Sequence, residues 1–123
     1  MRDIDTLSRH SELSAEIAGY ILGEKSYDTE KIEFVKNTIR SHSTPVQIGE
    51  GTLEEVCVSN ADAMSQIINP TYWLFFAFSV KKMTYEQGVE WYIKRIRMNK
   101  KSLIGQAKYL INKRYSLVKS LIE

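Results

Sequence analysis

Between Val56 and Val80 the chain carries one charge, Asp62, although Asp, Glu, Lys and Arg make up 26% of the whole sequence. A stretch so poor in charge is expected to lie mostly inside a fold. A carboxylate there needs a partner, because an unpaired buried charge costs several kcal/mol or is neutralised. That partner can be a metal, an arginine or a histidine. The chain has two histidines, His10 and His42. Two imidazoles and a carboxylate are suitable ligands for a divalent ion such as Mn, Fe, Ni or Zn, with Mg a further candidate. Their separations, 32 residues from His10 to His42 and 20 from His42 to Asp62, are not a metal signature by themselves. Capping or ordinary buried hydrogen bonding is the commoner fate of such residues. Cys57 has no base beside it in sequence and reads as a small buried hydrophobe rather than a nucleophile.

These side chains must be positioned by helices. Leu13, Ile17 and Ile21, with Ala18 and Leu22, form a stripe at helical spacing that starts near Ser11 or Ser14 and ends at Gly23. Ile32, Val35 and Ile39 form a second stripe after Asp28 or Thr29 as N-cap, and its continuation places His42 at the end of the buried face. Thr52 and Glu55 have the spacing of a capping box and open a third helix that Asn69-Pro70 stops. An apolar fourth helix follows from Pro70 through Val80, closed by Lys81-Lys82. Thr84 and Gln87 form a second capping box, and the helix it opens is either continuous with a last one through Leu121 or broken near Asn99. No segment alternates with the period of a strand, so the fold class is all-α, a bundle of five to six helices. On the third helix, Leu53, Val56, Asn60, Ala63, Met64 and Ile67 share one side. Asp62 points the other way among Val58, Ser59 and Ser65, residues too weakly polar for a solvent face, so the helix is expected to be covered all round.

A length of 123 residues fits one domain, 1–123, with a real core. A net charge of +2 is too mild to argue for nucleic acid or an anionic membrane. The single cysteine allows no internal disulfide, and the first residues, MRDIDTLSRH, have no apolar stretch behind them as a leader would, so a reducing cytoplasm is expected. The most apolar run, Tyr72 to Val80, is nine residues, where a membrane-crossing helix needs about 20. Trp73, Phe75, Phe76, Phe78, Trp91 and Tyr92 are expected in the core or at subunit contacts. Five of the eight residues from Lys94 to Lys101 are cations, which suits a phosphate contact or, more commonly, a solvated helix face.

The segments RHSELSAEIAGYIL at 9–22, VKNTIRSHS at 35–43 and SNADAMSQI at 59–67 resemble the later part of the HD-domain metal-dependent phosphohydrolase superfamily. TYEQGVEWYIKRIRMNKKSL at 84–103 is similar to the tail of small members of that superfamily. The resemblance implies a truncated HD-like helical bundle in which His10, His42 and Asp62 are metal ligands, Asp62 being the best match. It implies hydrolysis of a phosphoester or nucleotide by a metal-activated water. The His-Asp dyad that names the superfamily, and a histidine before it, have no counterpart in the nine residues ahead of His10, and Asp3 and Asp5 have no spacing that ties them to the site. A weakly active or inactive form is therefore expected, its metal lost in the extreme case. The alternatives are an oligomeric binding remnant and one half of a split hydrolase whose dyad comes on another polypeptide. Apolar faces left uncovered by missing helices favour a homodimer or larger oligomer, and a phosphate-containing small molecule is the expected ligand.

Overall fold

The computed structural model of the chain describes residues 9–123. The readings of Asp3 and Asp5, and of the first residues as unlike a leader, lie outside the described residues. Six α-helices are present there: α1 (His10–Glu24), α2 (Thr29–Ser41), α3 (Leu53–Ile68), α4 (Pro70–Phe75), α5 (Tyr85–Ser102) and α6 (Gly105–Ile122). Among the described residues no strand forms, only an isolated bridge between Ile48 and Gly51. The fold is all-α.

The capping residues named by the sequence set these boundaries. Asp28 Oδ1 accepts from the backbone N–H of Glu30 at 2.9 Å and Lys31 at 3.4 Å, satisfying donors that α2 itself cannot. Both capping boxes close: Thr52 Oγ1 accepts from Glu55 N–H while Glu55 accepts from Thr52 N–H, and Thr84 and Gln87 repeat the exchange. Asn69 caps α4 by accepting from Tyr72 N–H, with Pro70 in the first turn.

Three elements differ from expectation. The apolar run after α4 does not continue as α-helix to Val80; Phe76–Val80 is a π-helical turn, closed by Lys81 N–H donating to the Phe76 carbonyl at 3.0 Å. The last two helices part at Leu103 and Ile104 rather than near Asn99. Leu103 is buried in the core and Asn60 Oδ1 accepts the Ile104 N–H at 2.9 Å, so the extended backbone there is fixed from both sides. In α1 the expected stripe is not the buried one: Ile17 and Ile21 are 60% and 53% exposed, while Ala15 is fully buried. α1 meets α2 through small residues, with Gly19 against the stem of Lys36.

The chain divides into two compact units, and the boundary falls between Ser59 and Asn60, inside α3. In the first unit α1 packs on α2, and Arg40 grips Glu12 through two hydrogen bonds of 2.9 Å. Ser59 Oγ donates to the Thr44 carbonyl and accepts from Val46 N–H, which ties the loop after α2 to the start of α3. The second unit holds the larger core, in which Ala63, Ile67, Tyr92, Ile96, Leu103, Ala107, Ile111 and Val118 form one apolar cluster. Trp73 and Trp91 pack against its edge. Among the described residues no helix is long and apolar enough to cross a membrane.

Candidate functional site

Two of the three sequence-predicted ligands come together in the first unit. His10 opens α1, and His42 follows the last residue of α2. Their rings stand edge to face with centroids 5.1 Å apart. Nδ1 of His42 lies 2.5 Å from the Ile39 carbonyl oxygen. A carbonyl can only accept, so Nδ1 carries the proton, and in the neutral ring the lone pair is therefore on Nε2. This is the arrangement in which backbone bonding fixes the tautomer of a metal-binding imidazole. Ser11 is placed beside the pair, its Oγ 3.4 Å from His10 Nε2 and 3.1 Å from Ser43 Oγ.

Asp62 belongs to the second unit, where its hydrogen-bond partner is an amide, a kind the sequence did not suggest, and an arginine, a kind it did, feels its charge. Its Oδ2 accepts from Gln66 Nε2 at 2.8 Å, one helical turn on. Gln66 is itself buried, and its Oε1 accepts from Asn99 Nδ2 at 2.9 Å, so a polar chain runs from α3 to α5. Arg95 is the charged group that feels Asp62. Burial pulls its pKa below the usual arginine range, and the Asp62 carboxylate opposes that by favouring the cation. The guanidinium carbon sits 4.2 Å from the centre of the Trp73 ring and 5.3 Å from that of Trp91, and Nε is buried without a hydrogen-bond partner. Stacking on indole faces suits a weakly hydrated planar cation.

Among the described residues no three His, Cys, Asp or Glu side chains gather as a metal cluster would. Two donors, His10 and His42, are adjacent. Comparison with protein-family models, curated proteins and solved structures finds no match.

The sequence reading of α3 is corrected in two respects. Buried positions are Val56, Ser59, Asn60, Ala63, Gln66 and Ile67, whereas Leu53, Val58, Ala61 and Ser65 are exposed, so the helix is not covered all round. The run lacks charge because its polar contacts are made by Ser59, Asn60 and Gln66, which bond neutrally with backbone and amides. Cys57, expected inside, is exposed. Arg95 belongs to the basic run for which the sequence suggests a solvated helix face or a phosphate contact, and it is instead partly buried against the two indoles. Its position one residue before buried Ile96 and four after Trp91 was the signal that it borders the core.

Proposed function

We propose that the chain is an HD-like helical domain that carries part of a divalent-metal site and hydrolyses phosphoesters weakly or not at all without further ligands. The observation that carries this reading is the His10–His42 pair, with the His42 ring held by Ile39 so that Nε2 can donate to a cation. Two imidazoles suit a borderline ion, while a catalytic zinc ordinarily takes three protein ligands and a water. When bound, such an ion supplies a water of lowered pKa and polarises a phosphoryl oxygen. The part of the chain's own residues is to hold and orient: α2 ends where His42 can bond back to its last turn, and α1 begins at His10. An exposed thiol at Cys57 suits a reducing compartment such as the cytoplasm.

A second reading, an oligomeric binding protein of hydrolase descent, is favoured by Asp62. Its carboxylate already accepts from Gln66 and lies in the field of Arg95, which is the setting of a structural side chain. Calorimetric titration of the chain with Ni, Mn and Zn separates the two. About one ion bound per chain, lost in His42→Ala and kept in Asp62→Asn, supports the histidine site. No binding of any of the three leaves the binding protein. Turnover of a generic phosphoester with added Mn or Ni, abolished by Asp62→Ala, would overturn the claim that further ligands are needed.

A further inference from the structure

The charge of the molecule is strongly divided between its units. Residues 60–123 contain eleven Lys and Arg against four Asp and Glu, a net +7, while residues 1–59 contain six against eleven, a net −5. Within the second unit the division sharpens, because from Trp91 to Ile122 there are nine cations and no acidic residue. A mild overall charge of +2 conceals this.

α5 and α6 pack on one another and bring part of that charge to one place. Arg97, Lys100, Lys101, Lys108 and Tyr115 line a groove of about 350 Å3. Like charges gathered this way repel one another and raise the local concentration of anions. Lys100 is held in position, with Nζ donating to Asn112 Oδ1 at 2.8 Å and standing 4.0 Å from the centre of the Tyr115 ring. Arg97 donates to a Glu123 oxygen at 2.6 Å, and Lys119 lies 3.5 Å from the other oxygen of that carboxylate. Lys101 and Lys108 make no ion pair among the described residues.

We propose that this groove binds a small anion bearing several phosphates in a row, such as the triphosphate portion of a nucleotide or inorganic tripolyphosphate. Four cations along one concave surface match a chain of phosphoryl oxygens better than a single orthophosphate, which can engage only some of them. A nucleic acid strand fits less well. Lys100 takes one face of the one ring in the groove, and that ring, Tyr115, is partly buried against the apolar cluster, which suits base stacking poorly. A lipid surface fits less well too, because the exposed Leu110 and Leu117 of α6 point about 200° around the helix from Lys108 and Tyr115. The site does not depend on the histidine pair or on any metal.

Calorimetry with inorganic tripolyphosphate, run in the presence of a chelator, tests the groove separately from the metal reading. Tripolyphosphate is expected to bind at least about tenfold more tightly than orthophosphate. Replacing the two unpaired cations, Lys101→Gln with Lys108→Gln, is expected to weaken it about tenfold or more, with the helical circular dichroism unchanged. Glu123→Gln removes the competing carboxylate and is expected to tighten binding a fewfold, whereas Lys113→Gln, outside the groove, leaves it unaltered. Equal affinity for the two phosphates, or full binding by the double variant, would overturn the proposal. So would tighter binding of a single-stranded oligonucleotide that Lys113→Gln weakens as much as the double variant does, since the whole basic face would then be the site.

Discussion

Tyr92 is fully buried, and its hydroxyl donates to the carbonyls of Gln66 at 2.9 Å and Ile67 at 3.2 Å. These carbonyls belong to the last turn of α3, which has no further turn to receive its acceptors. Burial alone pushes the phenol from 10.0 up to about 12. The folded value lies above the unfolded one, so the contribution of the neutral phenol is intact below pH 10 and is lost as pH rises towards 12. Tyr92→Phe is expected to cost about 1–2 kcal/mol at neutral pH, because it strips two carbonyls of a donor. It should also flatten the alkaline loss of stability, and urea titrations at neutral and high pH measure both effects. The sequence expects Tyr92 in the core or at a subunit contact, and the core is where it lies, but the carbonyls its hydroxyl meets were not legible there. Asp62 shows a similar gap: its isolation was plain in the sequence, but its bond to Gln66 and the field it exerts on Arg95 depend on how α3 and α5 cross. That His10 and His42 stand near helix ends was legible in the sequence, whereas the meeting of their rings depends on how α1 packs on α2.

At the level of elements, local signals carried far. Asp28, the two capping boxes and Asn69-Pro70 act within four residues of themselves, so their effect on the backbone is independent of the rest of the fold. The π-helical turn is different in kind. Phe78 leaves that turn to stack on Tyr85, and its ring lies directly over Gly88 in α5. A glycine within a helix costs about 1 kcal/mol in propensity, and the close approach of Phe78 is the physical reason for one here. A methyl group at position 88 would stand inside contact distance of three Phe78 ring carbons. Gly88→Ala is therefore expected to destabilise by about 1–3 kcal/mol despite its better helix propensity. Gly88→Ala combined with Phe78→Ala should lose less than the sum of the two single changes, because the clash is gone. Thermal melts of the three variants test this. The α1 stripe failed for a related reason: periodicity shows where apolar residues lie on a helix but not which small residues, here Ala15 and Gly19, allow a neighbour to come close.

Across the whole molecule, buried apolar surface and charge are both unevenly shared. The apolar cluster built around Ile67, Tyr92 and Ile96 lies wholly in the second unit. Among the described residues of the first unit the buried ones are Ala15, Thr38, Val56 and Ser59, while Ile17, Tyr20, Ile21 and Phe34 remain exposed. Length and composition could not reveal this division, because they average over both units, and the opposite charges of the halves cancel in the total. The helices of the first unit thus have less apolar burial to resist opening, and local opening free energy falls with such burial. Exposed apolar residues such as Ile17, Ile21 and Phe34 also give α1 and α2 something to gain from association with another copy. Amides of α1 and α2 are accordingly expected to exchange with solvent deuterium well before those of α5 and α6. Raising the protein concentration should slow exchange in α1 and α2 selectively if these faces meet in an oligomer, since binding to the closed form shifts the opening equilibrium by mass action. Exchange at one common rate in both units would show that they open together, and slowing confined to α5 and α6 would move the association surface to the second unit.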